Sequence, residues 1–147
     1  MEMEEIDTAM ERRVWDRVAG LPEQREDLRH LMQGAMMLAD SYERLAARSS
    51  GRKKQLLRKL WQGEKENLAC LRGLQRLRSG SCPKLRSLPP LGGENLLETC
   101  WHRTCRAAGD YAARMAEPES GVVFGEMSRR EQQHLVLLSH LLGERPG

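Results

Sequence analysis

Residues 124–141 contain a mainly apolar row whose members recur every three or four residues. This is the spacing of one side of an amphipathic helix. The stripe consists of Phe124, Met127, Glu131, His134, Leu138 and Leu141. Glu131 and His134 therefore stand three residues apart on the side that the pattern predicts to be buried. Because a buried charge without partners is costly, this pair requires polar groups or a metal ion between it and neighbouring helices.

Three earlier segments show the same periodicity, over residues 23–48, 53–77 and 94–116, and residues that break helices separate them. Their inward positions are Leu28, Leu31, Ala35, Leu38, Tyr42 and Leu45; Leu57, Leu60, Glu64, Asn67, Leu71 and Leu74; and Leu97, Trp101, Thr104, Ala108 and Tyr111. The second stripe thus holds Glu64-x-x-Asn67, which echoes Glu131-x-x-His134. We predict four helices with polar residues inside the apolar rows.

Residues 79–93 contain three prolines and three glycines and cannot form a helix. At roughly 3.3 Å per residue such a segment can run back along a helix of about 25 residues. The breaks near residues 50 and 118 are short by comparison. The sequence therefore predicts an all-α fold, a four-helix bundle of two antiparallel helix hairpins that one long crossover joins.

Composition supports one helical domain outside a membrane. Aromatic residues make up only 4% of the 147 residues, and no apolar run approaches the roughly 18 residues of a membrane span. Residues 1–20 form a separate amphipathic segment in which Trp15 is expected to anchor against the bundle of residues 21–147. The acidic N-terminus lacks the basic start of a signal peptide, so we expect a cytoplasmic protein.

The hairpin geometry predicts which inward residues share one level. In an antiparallel pair, residues at equal distance from the turn lie side by side. With turns near residues 50 and 118, Glu64 is level with Ala35, and Glu131 is level with about residue 105. We therefore predict one interior layer, which contains Ala35, Glu64, Asn67, Thr104, Glu131 and His134.

The chain resembles the rubrerythrin-like branch of the ferritin-like superfamily over residues 20–143. The segments that carry the resemblance are Tyr42-Glu-Arg-Leu-Ala46, Leu60-Trp-Gln-Gly-Glu64-Lys-Glu-Asn67, Tyr111-Ala-Ala-Arg-Met-Ala-Glu-Pro118, and residues 124–142. The complete di-iron site of that family takes a Glu from the first helix of each hairpin and Glu-x-x-His from the second. The resemblance implies that Glu64, Glu131 and His134 are retained ligands, whereas Ala35, Asn67 and Thr104 replace the other three.

A site that lacks two carboxylates and one imidazole is not expected to support oxidase or peroxidase chemistry. We expect at most one iron, manganese or zinc ion, held by Glu64, Glu131 and His134 in a protein that is not an enzyme. The first alternative is an empty site whose acids form hydrogen bonds with neighbouring polar side chains, namely Asn67, Thr104, Tyr42 or Tyr111. The second is a metal-dependent oxidoreductase or peroxidase of rubrerythrin type with a non-standard ligand shell.

The net charge of +3 is unevenly distributed. Residues 44–86 carry thirteen Lys and Arg against two Glu, a net charge of +11, so the rest of the chain carries −8. A solvated helix face explains this best, and a surface for an acidic partner or nucleic acid is the alternative. We do not expect nucleic acid, because exposed aromatic residues are not interleaved with the charges. We expect a protein partner that the sequence does not identify and assembly as a homodimer. We expect no association with a membrane.

Other residues with metal-binding chemistry fit ordinary structural roles better. Asp27-x-x-His30 is interpreted as a solvated helix start, and His102 and His140 lie off the predicted layer. The four cysteines form no Cys-x-x-Cys motif and are expected to be reduced and partly buried. They are Cys70, Cys82, Cys100 and Cys105. Buried packing is the favoured interpretation of Cys105.

Overall fold

The computed structural model describes residues 22–86, 91 and 95–144, with side chains described from residue 28 onward. This part of the chain consists of four helices without a strand: α1 (Pro22–Ala47), α2 (Gly51–Ser79), α3 (Leu96–Ala112) and α4 (Gly121–Gly143). The all-α prediction is therefore confirmed. The predicted amphipathic segment of residues 1–20, with Trp15, lies outside the described residues.

Helix α3 ends four residues before its predicted end at residue 116. After Ala112 the backbone tightens, because the N–H groups of Arg114 and Met115 donate to carbonyls only three residues earlier. Glu119 then takes a positive φ of 65°, which reverses the chain into α4. These turns occupy residues 113–120, and Pro118 within them cannot continue a helix.

Two apolar clusters fill the bundle interior, one above the other. The lower cluster contains Leu28, Leu31, Met32, Ala35, Leu68, Leu71, Leu74, Tyr111, Phe124 and Met127. The upper cluster contains Leu38, Tyr42, Ala46, Leu57, Leu60, Leu97, Cys100, Leu138 and Leu141. Each helix contributes residues to both clusters, and the order of those residues along each helix gives the helix direction.

Helices α1 and α4 run from the lower cluster to the upper cluster, whereas α2 and α3 run from upper to lower. Helices α1 and α2 form one hairpin, α3 and α4 form the other, and the hairpins meet where α1 packs on α3 and α2 packs on α4. Helix α2 ends at the lower cluster and α3 begins at the upper cluster, so the two helix ends that the connection joins lie at opposite ends of the bundle.

Five buried polar side chains lie between the two clusters, on α2, α3 and α4. They are Glu64, Asn67, Thr104, Glu131 and His134. We call this set the polar layer. Its members occupy the same helical stripes as the leucines above and below them, so helical periodicity alone brings them into the interior.

The edge of the upper cluster is less buried than the sequence predicts. Trp101 and Leu45 are predicted to face inward, but each is half-buried and packs against the cluster from outside, as Trp61 does. The Lys65 ammonium lies 5.9 Å from the centroid of the Trp61 ring.

None of the four described helices is long and apolar enough to cross a membrane.

Replacement of Leu71 by Ala should destabilise the bundle far more than the same change at Leu77. Leu71 is fully buried in the lower cluster, and Leu77 on the same helix is 86% exposed. We expect a loss of about 2–5 kcal/mol in the free energy of unfolding for Leu71→Ala and a change within about 0.5 kcal/mol for Leu77→Ala. Urea unfolding followed by circular dichroism measures both changes. Equal losses would contradict the placement of Leu71 in the interior and Leu77 at the surface.

Candidate metal centre

Helices α2 and α4 supply the three acid and imidazole groups of the polar layer. Glu64 lies one helical turn below Leu60, and Glu131 and His134 lie between Met127 and Leu138 on α4. The side chains of Glu64 and Glu131 have no exposed surface, and His134 is 4% exposed. Glu64 on α2 and the pair Glu131 and His134 on α4 thus meet where the two hairpins pack together.

The imidazole lies between the two carboxyl groups. His134 Nδ1 is 3.3 Å from Glu64 Oε1 and 3.4 Å from Glu131 Oε2. One ligand atom from each of the three residues can be chosen so that all lie within 4.8 Å of one another. Carboxylate oxygens and an imidazole nitrogen are ligands for zinc, iron and manganese. This group could therefore hold one metal ion.

Gly63 provides the space for the imidazole. A Cβ atom at residue 63 would overlap His134 Nε2 and lie 2.5 Å from His134 Cε1. The ring thus rests directly against the backbone of α2, with its Nε2 edge at Gly63 and its Nδ1 facing the acids. Only glycine permits this approach.

A chain of hydrogen bonds links the buried Glu131 to the protein surface. Asn67 Nδ2 donates to Glu131 Oε1 over 2.7 Å. Arg130 Nη1 donates to Asn67 Oδ1 over 2.5 Å, and Arg130 Nε lies 3.1 Å from Glu66 Oε2. The prediction that Asn67 satisfies a buried acid is confirmed, and Arg130 adds a positive charge next to it.

The two carboxyl groups differ in their affinity for protons. Burial raises the pKa of Glu64 well above its usual range, and the negative charge of Glu131 raises it further. Burial also acts to raise the pKa of Glu131, but hydrogen bonds from Glu64, His134 and Asn67 bring it below the usual value. The directions of these two shifts favour a proton on Glu64 and an ionised Glu131 in the absence of a cation.

Two carboxyl oxygens of the site accept no hydrogen bond from an N–H or hydroxyl group. These atoms are Glu64 Oε2 and Glu131 Oε2, and both are fully buried. Buried acceptors are normally satisfied, so these two mark a place where a proton or a cation is required. They face the same small region as His134 Nδ1.

The remaining members of the predicted layer have other partners. The Thr104 hydroxyl lies 3.2 Å from the Tyr42 hydroxyl, so the two form a hydrogen bond. Ala35 lies in the lower cluster. Burial, followed by the negative charge of Glu64, raises the pKa values of Tyr42 and Tyr111 well above 10.0, and both phenols stay protonated.

The other candidates do not join the site. His30, His102 and His140 are exposed, and the side chain of Asp27 lies outside the described part.

Cys105 is also exposed, so the interpretation of it as buried packing is wrong; it lies one position beyond the inward Thr104 and points away from the interior. All four cysteines are free, and burial raises the pKa of Cys100 to about 12. Within the described ranges, Glu64, Glu131 and His134 are the sole cluster of this kind.

Sequence analysis missed two residues of the site, Gly63 and Arg130. A signal for Gly63 existed, because glycine is unfavourable in the middle of a helix and this one directly precedes an inward acid. Arg130 gave no comparable signal, since it is one of many charged residues and its contact with Asn67 depends on how α2 and α4 pack.

Comparison of this chain with protein-family profiles, curated proteins and solved structures finds no match.

Replacement of Gly63 by Ala should displace the His134 ring, because the added methyl group would occupy the space of Nε2. We expect a loss of about 1–3 kcal/mol in the free energy of unfolding. Gly73→Ala is the matched control on the same helix, where nothing lies within 4 Å of the added Cβ. Its better helix propensity should stabilise the protein by up to about 1 kcal/mol. Both variants can be compared by thermal or urea unfolding. If the free energy of unfolding changed in the same direction in both, the close contact between Gly63 and His134 would be contradicted.

The metal-free protein should lose stability as the pH rises above 4.5, the ordinary pKa of Glu64. A raised folded-state pKa means that the folded protein binds the proton more tightly, so this contribution is complete below 4.5 and is lost as the pH rises through the folded pKa. The lowered pKa of Glu131 makes the stability depend on pH only below the ordinary pKa of this group. It therefore adds no slope above pH 4.5. Glu64→Gln should remove a slope of up to about 1.4 kcal/mol per pH unit.

The measurement is the free energy of unfolding in chelator between pH 4.5 and 8. Glu126→Gln is the control, because Glu126 is exposed on the same helix as Glu131. If Glu64→Gln kept the slope of the unmodified protein, Glu64 would not be the group that holds the proton.

Proposed function

We propose that this protein is a ferritin-like bundle of rubrerythrin type whose interior site binds one divalent cation through Glu64, Glu131 and His134 and does not catalyse a redox reaction. The observation that carries the proposal is the convergence of three buried donor groups, with His134 Nδ1 3.3 and 3.4 Å from the two carboxyl groups. The two carboxyl oxygens without hydrogen-bond donors lie in the same group.

Charge balance favours a divalent ion in this place. Two carboxylates and a neutral imidazole carry a charge of −2, so a divalent cation gives a neutral site in the buried interior. Two charges buried without such compensation would be strongly unfavourable. When bound, the ion supplies positive charge to both acids at once and replaces the proton on Glu64.

The arrangement of the helices supports the ferritin-like assignment. Two hairpins with opposite helix directions and a long connection from the lower end to the upper end are the arrangement that the resemblance implies. Inward-facing Glu64 and Glu131 lie on the second helix of each hairpin, at the positions that the resemblance assigns to ligands.

The three positions that lack the expected ligands support binding of one ion instead of two. Ala35 contributes only a methyl group to the lower cluster. The Thr104 hydroxyl is paired with Tyr42, and the Asn67 amide is paired with both Arg130 and Glu131. A second cation would find no bridging carboxylate on α1 or α3, and for this reason we propose binding without redox catalysis.

Protein purified without chelator should contain close to one metal ion per chain by mass spectrometry. Glu131→Gln and His134→Gln each remove one ligand without a large change in volume, and both should lose the ion. Glu126→Gln and His140→Gln are matched controls, since both residues are exposed on α4. In the unmodified protein, free ion at 100 times its Kd should stabilise the fold by about 2.7 kcal/mol.

Three outcomes would contradict the proposal. Equal metal content in the ligand variants and the controls would place any ion elsewhere, and absence of metal after loading with iron, manganese or zinc would leave a hydrogen-bonded acid pair. Two ions per chain with activity towards peroxide would favour the oxidoreductase alternative.

A further inference from the structure

The environment of Asn67 restricts what a cation in this site can bind. Asn67 is a neutral amide side chain in contact with the acid group, and its Oδ1 accepts a hydrogen bond from Arg130. A guanidinium only donates hydrogen bonds, so the Asn67 atom that faces Arg130 must be the oxygen. The amide nitrogen therefore faces Glu131 and donates to its Oε1.

This orientation leaves one carboxyl oxygen of Glu131 without a hydrogen bond from the Asn67 amide. Asn67 Oδ1 is turned towards Arg130, and Glu131 Oε1 is engaged by the amide N–H, which leaves Glu131 Oε2 for an ion. The Thr104 hydroxyl is paired with Tyr42 and adds no ligand. Three protein atoms remain, one each from Glu64, Glu131 and His134, and one water molecule brings the number to four.

Two of the three distances between these atoms fit a tetrahedral arrangement. With metal–ligand bonds of 2.0–2.2 Å, neighbouring ligand atoms lie about 3.3–3.6 Å apart around a tetrahedral ion and about 2.8–3.1 Å apart around an octahedral ion. His134 Nδ1 lies 3.3 Å from Glu64 Oε1 and 3.4 Å from Glu131 Oε2. Both distances fall in the tetrahedral range.

We infer that Arg130, by holding the Asn67 amide with its nitrogen towards Glu131, restricts this site to a four-coordinate cation of the zinc class. The inference rests on the proposed function, because it names the ion that the proposed site selects. Arg130 is a positioning residue, since it touches Asn67 and not the ion. Manganese and ferrous iron, which favour more oxygen ligands, bind less well.

Arg130→Met tests this role because it removes the donors and keeps the length of the side chain. The amide of Asn67 is then free to turn its oxygen towards the acids, which adds a ligand. Arg130→Lys restores a donor and should restore the original site. Arg129→Met is the matched control, since Arg129 is an exposed neighbour on the same helix. Circular dichroism checks that each variant is folded.

The measurement is the visible absorption of the cobalt(II)-loaded protein, because four-coordinate cobalt absorbs strongly and six-coordinate cobalt absorbs weakly. We expect strong absorption in the unmodified protein, Arg129→Met and Arg130→Lys, and weak absorption in Arg130→Met. Titration calorimetry should show zinc binding weakened about tenfold in Arg130→Met, with manganese binding unchanged or tighter.

Each other outcome contradicts a different statement. Bound cobalt that absorbs weakly in the unmodified protein would overturn the four-coordinate site and leave the proposed function intact. Strong absorption that persists in Arg130→Met, with unchanged zinc affinity, would overturn the role of Arg130. A protein that binds neither cobalt nor zinc would overturn the proposed function itself.

Discussion

The convergence of two buried carboxyl groups, Glu64 and Glu131, on the His134 imidazole is the constraint on which the rest of this structure depends. Both side chains are fully buried, and burial makes two negative charges in contact very unfavourable. One proton or one cation has to lie between them. The neighbouring groups are consistent with this requirement, because His134 and Asn67 both direct nitrogen atoms towards the acids and Arg130 supplies positive charge behind Asn67.

The polar layer also determines how the two hairpins fit together. Leucine-rich clusters above and below it can slide or rotate at modest cost, since apolar contacts have little directionality. Hydrogen bonds between α2 and α4, and between Tyr42 on α1 and Thr104 on α3, are directional and fit one register only. The approach of His134 to Gly63 adds a steric condition at the same level. The layer thus gives specificity to an interface whose burial energy comes from the clusters.

Much of the fold was predictable because helical periodicity and short turns are local properties. The spacing of Leu60, Glu64 and Leu71 placed the acid inside, and counting residues from each turn placed Glu64 and Glu131 at nearby levels. Contacts that depend on the exact rotation of packed helices were not predictable. Cys105 adjoins an inward residue yet is exposed, and Arg130 adjoins an inward acid yet reaches Asn67 on another helix. A single sequence contains no signal for such pairs.

The long connection between α2 and α3 separates the candidate ligands into two hairpins. Each hairpin brings together residues that are near in sequence, whereas Glu64 and the pair Glu131 and His134 belong to different hairpins. The ligand set is therefore absent from either hairpin alone and is complete only after correct docking. If the site binds an ion through all three groups, as we propose, that ion would bind the docked chain and not half-assembled or misaligned forms, so its binding would report on correct tertiary structure.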